Sequence, residues 1–541
     1  MANTVHFETL GCRLNQDETE GAARCFADAG FTISMENLSS SSAVQADAVL
    51  GVINTCTVTG KAEQKARRII RLMLEKLPQA VILVTGCYAE LDAAEISSID
   101  TERICVLPGT RKFLLASLAR EMSGGSLCVG KGCFSRDALA AFLRQVHFVP
   151  RDAAAPVRPA VLSTSGRTAS GRTAGGKAVG GKNAGSFSPA TGVRTADASL
   201  PLTPAVEVSA QTAPARTDAA ALQAFTLYTP SFERHSRASV KIQDGCNNAC
   251  SFCRIHLARG KSVSLPVAEV LRRVQELERR GVQELVFTGV NLSQYSGLSE
   301  DGGRASFSQL LDVLLAETDS IRFRVSSFYP QHITEELCSR LASPRVQPSF
   351  HLSVQSGSDR ILALMRRPYC AADVLHAVEL LRRAKSSPFI SCDIIAGFPG
   401  ESESDFAATR ELCRAAAFAW IHAFPYSPRP ATPAYSMKPQ IPERVKGERV
   451  RWLTETAVQG KLHYIASFVG KTLPAVAERS RSQRVGGELH TVHAVTDNFL
   501  HVECRTSAPV EPGSAVSVRI EAALEDSVRA GREIDCLAVL V

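Results

Sequence analysis

Strand-like and helix-like patterns of hydrophobic residues alternate along the first 123 positions of the chain. Three apolar runs of strand length each lead into a segment with helical spacing, and these runs are residues 4–10, 47–55 and 79–86. Strands that alternate with helices in this way predict a parallel sheet covered by helices. We therefore interpret residues 1–123 as an α/β domain.

A longer series of the same kind occupies residues 225–465. Its roughly six β/α units predict a full or partial barrel of the TIM kind, whose active face is formed by the carboxyl ends of the strands. The first predicted strand of this series, residues 238–243, leads directly into a loop rich in cysteine. Any chemistry of the barrel is therefore expected near that loop.

The remaining segments differ from these two domains in pattern. After a helix near 443–463, residues 466–541 form short alternating segments separated by Gly and Pro, which predicts a small β-barrel. Residues 124–224 connect the first two domains. Within them, residues 152–218 consist mainly of Ala, Thr, Ser, Gly and Pro, with Phe187 as the sole aromatic residue. Such a segment buries too little apolar surface to order itself, so we expect a largely disordered linker there.

The amino-acid composition limits the classes of protein to which the chain can belong. The 541 residues, 45% hydrophobic and 21% charged, suffice for three domains with their own cores. A net charge of +7 permits a polyanionic partner but does not identify one. No stretch approaches the ~20 apolar residues that span a bilayer, so we expect a cytoplasmic protein without membrane contact. In that reducing compartment, sixteen cysteines are poor disulfide candidates, and metal binding is the better expectation for some of them.

Six cysteines lie at predicted strand ends. Cys246, Cys250 and Cys253 form a C-x3-C-x2-C loop after the first barrel strand, whereas the other three, Cys12, Cys56 and Cys87, each follow a strand of the first domain. Structural zinc usually takes four ligands with paired C-x2-C knuckles, which neither triad has. Catalytic zinc with three ligands is conceivable but generally uses His or carboxylate ligands. An iron–sulfur cube fits three thiolates better, because its fourth iron stays open to a small molecule. A buried, inert cysteine is the alternative at each single position.

The C-x3-C-x2-C loop resembles that of the radical S-adenosylmethionine superfamily. Seven motifs, in order, are similar to those of its methylthiotransferases and, among these, of the MtaB type that modifies N6-threonylcarbamoyladenosine beside the anticodon of tRNA. They are TLGCRLNQDETE, INTCTVT, TGCYAE, VKIQDGCNNACSFC, LSVQSGSDRILALMRRPY, CDIIAGFPGE and FPYSPRPATPA. The C-terminal β-barrel, with VTDNFLHVEC, resembles a TRAM domain, an RNA-binding module of that family.

The resemblance implies a specific set of cofactors and partners. Cys246, Cys250 and Cys253 would hold a [4Fe–4S] cluster that binds S-adenosylmethionine, whose one-electron cleavage permits hydrogen abstraction at adenine C2. The first-domain triad would hold a second [4Fe–4S] cluster that supplies sulfur. The expected partners are tRNA and a cellular one-electron reductant. Beyond the cluster ligands, we predict no catalytic residue.

Four further residues are candidates for binding S-adenosylmethionine. Gly289 and Asn291 follow the second barrel strand, where the superfamily binds the methionine amine, although a plain strand-end turn at Gly289 is equally consistent. Gln355 and Ser356 follow a later strand, where polar groups could meet the ribose. The alternative for that segment, QSGSD, is a helix N-cap.

Two local features bear on the substrate. The basic segment 61–76 directly follows a cluster cysteine and is a candidate for contact with tRNA phosphates, although a solvated helix face is the more common reason for such a run. After Cys253 the chain departs from the family pattern at Arg254, His256 and Val263, and these departures bear on the substrate rather than on the cluster ligands.

Competing functions belong to different classes. A methylthiotransferase that acts on another tRNA adenosine or on a ribosomal protein shares most of the motifs, although QDGCNN disfavours the protein substrate. A non-catalytic iron–sulfur or zinc protein that only binds RNA would not require a complete barrel. An iron–sulfur electron carrier would be far smaller. We therefore expect a tRNA methylthiotransferase.

Overall fold

The computed structural model describes residues 3–124, 135–145, 222–230, 237–478 and 490–541. The predicted disordered segment, residues 152–218, lies outside the described residues. Among the described helices, none is both long enough and apolar enough to cross a membrane.

The N-terminal domain is built on the predicted parallel sheet. In spatial order its five strands are Thr32–Ser34, Thr4–Thr9, Ala48–Thr55, Val81–Gly86 and Ile104–Val106. The helices that cover them are Arg13–Asp28, Gly60–Lys76, Cys87–Leu91, Ala93–Ser97, Leu114–Ser123 and Arg136–Gln145. The central strands are buried on both faces, which is why they read as nearly continuous apolar runs.

This domain extends beyond the predicted boundary at residue 123. Leu139 and Leu143, on the helix Arg136–Gln145, pack into the same core as Phe7 and Phe26. Arg111 donates a hydrogen bond to the carbonyl oxygen of Leu143 at 2.7 Å. The described residues of 135–145 therefore belong with the α/β domain rather than with the linker.

The second domain is a partial barrel of six main strands. In chain order they are Ala238–Lys241, Glu284–Thr288, Arg322–Val325, Ser349–Gln355, Phe389–Ala396 and Trp420–Pro425. The pairings observed among them are parallel, and a short strand, Ser327–Phe328, also pairs with Ser349–Gln355. Within the described residues, the first and last strands each pair with one neighbour, so the barrel stays open.

Helices cover the outside of this barrel. They are Val267–Arg279, Phe307–Glu317, Glu335–Leu341, Asp359–Leu364, Ala371–Ala384, Glu403–Ala416 and Glu443–Ala466, with short helices at Ile255–Arg259 and Pro433–Ser436. Ser306 and Ser402 begin two of them with capping boxes that satisfy backbone N–H groups of the first turn. Aromatic rings fill the core, and Phe287 stacks on Phe323 with ring centroids 5.5 Å apart. The barrel thus provides a rigid frame for the loops at its carboxyl ends.

The C-terminal domain is a closed five-stranded β-barrel, as the pattern predicts. Its strands are Thr472–Ala477, His490–Thr496, His501–Thr506, Ala515–Ala523 and Cys536–Leu540. Cys504 and Cys536 are fully buried in its core and serve there as small hydrophobic residues. Arg324 of the second domain donates to the Thr496 carbonyl oxygen at 3.1 Å, which ties the two barrels together.

Candidate active site

The three cysteines of the N-terminal domain lie at the carboxyl edge of its sheet. Cys12 is the N-cap of the helix Arg13–Asp28, Cys56 directly follows the strand Ala48–Thr55, and Cys87 opens the helix Cys87–Leu91. The strands that precede them are neighbours in the sheet. Because parallel strands end at one edge, the fold brings the three thiols together.

Glycines allow this close approach. Gly11 has φ +102°, and a Cβ at that position would lie 2.5 Å from Cβ and 2.8 Å from Sγ of Cys56. Gly86 has φ +104°, and its Cβ would lie 2.3 Å from the carbonyl oxygen of Thr55. Side chains at either position would push the cysteine loops apart. The backbone is therefore shaped as a cradle that fits a three-thiolate cluster.

Two asparagines fix the loops on either side of these cysteines. The Asn15 amide donates to the carbonyl oxygens of Leu10, at 2.8 Å, and Thr55, at 3.1 Å. The Asn54 amide in turn donates to the carbonyl oxygen of Asn15 at 3.0 Å. Both side chains are buried, so each hydrogen bond is shielded from water. The chain segments next to Cys12 and Cys56 are thus held in one arrangement.

The chemistry of these thiols suits a bound metal. Cys56 is buried, and burial raises its pKa to about 12, so its thiol is protonated at neutral pH unless a cation binds. Metal binding therefore releases a proton and gains free energy from the charge it neutralises. The Arg259 guanidinium is close enough to Cys12 and Cys87 to interact with both thiolates. A cation beside the triad fits a cluster whose thiolates give it net negative charge.

The second triad lies on the loop between the short strand Gln243–Asp244 and the helix Ile255–Arg259. Gly245, which precedes Cys246, has φ +73°, and its Cβ would lie 2.2 Å from the carbonyl oxygen of Lys261. The backbone N–H of Ile255 donates to Sγ of Cys253 at 3.4 Å. The loop is therefore tightly folded and points a backbone donor at the sulfur atom of Cys253.

Arg367 is a partly buried cation beside this loop. Its Nε and Nη1 atoms are buried and have no hydrogen-bond partner among the residues that the structure describes. The guanidinium stacks on Tyr329, with Cζ 4.7 Å from the ring centroid, and interacts electrostatically with Cys250 and Cys253. Unpaired buried N–H groups are costly unless an acceptor or an anion occupies the space they face. Arg367 thus fits an anionic iron–sulfur cluster held by the triad.

Gln243 connects the cysteine loop to the predicted cofactor segment. Its Oε1 accepts the Asn291 backbone N–H at 2.8 Å, and its Nε2 donates to the Gly245 carbonyl oxygen at 2.7 Å. A Cβ at Gly289 would lie 3.0 Å from the same Oε1. Burial raises the pKa of Cys246, and the nearby Asn291 side chain, whose Nδ2 is buried without a hydrogen-bond partner among the described residues, counteracts part of this rise. Gly289 and Asn291 therefore lie against the triad, and their role in binding S-adenosylmethionine stays a prediction.

The other two candidate residues differ in position. Gln355 has φ +71°, in the region that non-glycine residues rarely adopt, and its side chain lines a cavity of about 230 Å³. Ser356 is fully buried, and its Oγ lies 3.4 Å from Oγ1 of Thr409 on a neighbouring helix. Ser358 caps the helix Asp359–Leu364. Only Gln355 of this segment lines the cavity, and the cofactor roles of Gln355 and Ser356 stay predictions.

The cavity lies where the first two domains meet. Val58 and Thr59 line it from the N-terminal domain, two and three residues after Cys56, and Phe252 lines it from between Cys250 and Cys253. Its other lining residues are Gln355, Arg367, Asp393, Ile395, Phe424, Pro425, Tyr426, Ser427 and Arg429. The wall combines aromatic side chains with a few charged groups, as is typical of a site for a planar polar ligand.

Buried ion pairs join the two domains around this cavity. Arg254 contacts Glu63 at 3.2 Å and Asp92 at 3.1 Å, both on the N-terminal domain. Arg429 pairs with the same Glu63 and donates to Thr57 Oγ1 at 2.9 Å. The family departure at Arg254 thus has a structural role, because this side chain fixes the end of the cysteine loop to the other domain.

The other two departures lie close by. His256 Nδ1 is buried without a partner in the described part of the chain, and burial lowers the pKa of its imidazole, so the ring is neutral at neutral pH. Val263 is buried in the core of the barrel and pairs with Asp244 in a short antiparallel ladder.

A second buried network joins the domains behind the N-terminal cysteines. Glu18 accepts from Lys241 at 2.7 Å and from Arg259 at 2.9 Å, and it also pairs with Lys112. Burial raises the pKa of Glu18, but Arg259 and Lys112 outweigh burial and hold it well below its usual range. Sequence reasoning missed this network. Its signal in the sequence was a set of charged residues at core-facing positions, such as Glu18 on a helix and Lys241 on a strand.

Known proteins are similar to the chain over most of its length. Residues 240–413 match the radical SAM superfamily, and residues 4–107 match the uncharacterized protein family UPF0004. The threonylcarbamoyladenosine tRNA methylthiotransferase MtaB of Treponema pallidum (strain Nichols) is 41% identical over 96% of this chain and 98% of its own. The protein of the same name from Bacillus subtilis (strain 168) is 29% identical over 92% and 90%.

Among solved structures, the radical S-adenosylmethionine methyltransferase TsrM from Kitasatospora setae, with cobalamin and a [4Fe–4S] cluster bound, is 14% identical with a TM-score of 0.47. The match covers 80% of this chain and 74% of that one. Membership of the radical SAM superfamily, which the match over residues 240–413 places on the second domain, implies a [4Fe–4S] cluster and S-adenosylmethionine. From its family matches and its identity with the Treponema pallidum protein, the chain belongs to the MtaB-type family of radical S-adenosylmethionine methylthiotransferases.

Proposed function

We propose that the protein attaches a methylthio group to C2 of N6-threonylcarbamoyladenosine next to the anticodon of tRNA, with two [4Fe–4S] clusters. One observation carries this proposal: two cysteine triads from different domains lie on loops that meet at a single cavity. Val58 and Thr59, on the loop after Cys56, line it from the first domain, and Phe252, between Cys250 and Cys253, lines it from the second. The names of the relatives from Treponema pallidum and Bacillus subtilis support the same substrate.

The six cysteines have the roles of cluster ligands in this proposal. Cys246, Cys250 and Cys253 hold the cluster of the barrel, and the other triad, Cys12, Cys56 and Cys87, holds the second cluster. When bound, the barrel cluster and S-adenosylmethionine supply one-electron hydrogen abstraction from an unactivated C–H bond, and the second cluster supplies the sulfur.

The residues around the cavity bind the cofactor and the target nucleoside and orient them. Gly289 and Asn291, beside the barrel triad, and Gln355, on the cavity wall, would bind S-adenosylmethionine. Apolar groups such as Phe252 and Phe424 exclude water from the reacting C–H bond and offer faces to the adenine ring. Since the chain's own groups carry out no acid–base step here, positioning is their main contribution.

Mass spectrometry of tRNA nucleosides tests this proposal. Cells that lack the protein are expected to contain N6-threonylcarbamoyladenosine without its 2-methylthio form, and the wild-type gene restores the modification. A gene in which Cys246, Cys250 and Cys253 are replaced by Ala provides the matched control and is expected to restore nothing. Unchanged 2-methylthio nucleoside in the deletion strain, or loss of a methylthio group from a ribosomal protein instead, contradicts the proposed substrate.

A further inference from the structure

One face of the helix Gly60–Lys76 is a stripe of exposed cations. Four basic residues, which we call the basic stripe, point to solvent from successive turns: Lys61, Lys65, Arg68 and Arg71. Their spacing of three or four residues places them on one side of the helix. The stripe runs for about 15 Å along the helix axis. The opposite face is apolar and packs against the sheet of the N-terminal domain.

The basic stripe has no acidic partner among the described residues. The helix holds two acidic residues, and both are engaged elsewhere: Glu63 with Arg254 and Arg429, and Glu75 with Lys76 at 3.1 Å. Other exposed arginines on helices of this chain do pair with carboxylates, and examples are Arg272 with Glu269, Arg383 with Glu335 and Arg444 with Glu448. Four unpaired cations on one face repel one another at low salt, so the stripe is better suited to an anionic partner than to stability.

The stripe begins at the rim of the cavity. The helix starts at Gly60, whose backbone N–H donates to Ser427 Oγ at 3.3 Å, and Ser427 lines the cavity. Val58, just before the helix, is 56% exposed, and Phe424, across the rim, is 40% exposed. An apolar mouth that continues into a row of cations matches a polynucleotide strand, whose bases stack on apolar side chains while its phosphates follow the positive charge.

We propose that the basic stripe binds the phosphates of the RNA strand that flanks the target nucleoside, while the target base enters the cavity past Val58 and Phe424. This inference rests on the proposed function, because it takes tRNA as the substrate. It also identifies the surface of the chain that guides the RNA strand, and that surface belongs to the N-terminal domain. The C-terminal barrel has eight basic and ten acidic residues over 466–541. Because the acidic residues are in excess, this domain attracts a polyanion less strongly than the basic stripe does.

The test replaces all four residues of the basic stripe by Gln and measures the salt dependence of tRNA binding to the anaerobically reconstituted full-length protein. About four lost phosphate contacts are expected to make the slope of log affinity against log salt shallower by roughly 3. At 0.1 M salt, the loss of affinity is expected to be on the order of a hundredfold. Cleavage of S-adenosylmethionine without tRNA and the iron content are expected to stay at wild-type values.

A matched control removes the same charge from other surfaces. Arg272, Arg280, Arg340 and Arg383, each paired with a carboxylate, are replaced by Gln in the control variant, which is expected to keep the wild-type salt slope. A wild-type slope in the stripe variant overturns the inference, and so does an equal loss in both variants, because net charge alone then explains it. Wild-type protein that fails to bind tRNA refutes the proposed function itself, which separates the two failures.

Discussion

At the scale of single residues, glycine conformation decides whether the N-terminal cysteines can meet. Gly11 combines a left-handed φ with direct contact to Cys56, so a methyl group there causes both backbone strain and a clash. Gly30 has a similar φ of +91° but open space around it, with nothing within 4 Å of its Cβ position. Alanine substitutions at the two positions therefore distinguish the effect of backbone strain from that of a steric clash.

Gly11→Ala is expected to lose the N-terminal cluster and keep the barrel cluster, because the methyl group displaces the loop that carries Cys56. Iron analysis of reconstituted protein should then give about half of the wild-type iron, since one of two clusters remains. Gly30→Ala is the matched control and should retain all of it. Full iron content in Gly11→Ala would show that the loop relaxes without losing its ligands.

Arg367 is a second residue whose surroundings lead to a prediction, which concerns the reduction potential of the barrel cluster. Its buried, unpaired N–H groups face the barrel triad, so its charge stabilises the reduced, more negative state of a bound cluster. Arg367→Met is expected to shift the reduction potential of that cluster to more negative values by roughly tens of millivolts. Electron paramagnetic resonance during a redox titration measures the shift.

Arg366→Met is the control for Arg367→Met, because it removes the same charge from the adjacent position, where the side chain is exposed. Its potential is expected to match that of the wild type, since solvent screens an exposed charge. Equal shifts in the two variants would mean that Arg367 acts through net charge rather than through its place beside the triad.

At the scale of elements, the helix Gly60–Lys76 joins the two domains through one side chain. Glu63 lies between Arg254 and Arg429, so Glu63→Gln leaves the buried Arg429 without an anionic partner among the described residues and leaves Arg254 with Asp92 alone. Removing one partner of a buried ion pair typically costs about 3 kcal/mol or more. We therefore expect a clearly lower unfolding temperature in differential scanning calorimetry.

Glu75→Gln, on the same helix, is the matched control for Glu63→Gln, because the Glu75 side chain is 66% exposed, so that solvent screens its pair with Lys76. Its effect is expected to be below about 1 kcal/mol. If Glu63→Gln unfolds at the same temperature as this control, the ion pairs across the domains do not contribute to stability.

Secondary structure was largely predictable from the sequence, because hydrophobic runs record burial directly. The predicted strand 47–55 differs from Ala48–Thr55 by one residue, and the predicted strand 238–243 begins at the same residue as Ala238–Lys241. The helix Arg136–Gln145 was not assigned to the first domain, because it follows a segment without clear periodicity and is separated from the sheet along the chain. Periodicity detects an amphipathic helix but does not tell which core covers its apolar face.

The candidate site was predictable from the sequence where its residues lie close together along the chain. Spacing alone placed Cys246, Cys250 and Cys253 together, whereas Arg259 and Arg367 were not predicted. Each of these arginines reaches its triad only through the tertiary fold, across another domain or from a distant loop. Nothing in a single sequence distinguishes such a buried arginine from an exposed one.

At the scale of the whole molecule, the arrangement of domains explains why loops that carry cysteines of both triads reach one cavity. The carboxyl edges of both parallel sheets meet, and buried pairs centred on Glu18 and Glu63 hold the edges together. The C-terminal barrel is also joined to the second domain, because Phe389 and Ile465 share its core. The site is thus a property of the assembled chain rather than of one domain.

The central claim is that the two triads have separate roles in one reaction on tRNA. The most direct measurement incubates reconstituted protein with S-adenosylmethionine, a reductant and tRNA that carries N6-threonylcarbamoyladenosine, and determines 5′-deoxyadenosine and the 2-methylthio nucleoside by mass spectrometry. The wild type is expected to form both products. Replacing Cys12, Cys56 and Cys87 by Ala should abolish only the 2-methylthio nucleoside, and replacing Cys246, Cys250 and Cys253 should abolish both. Formation of the 2-methylthio nucleoside by either triple variant would contradict the account.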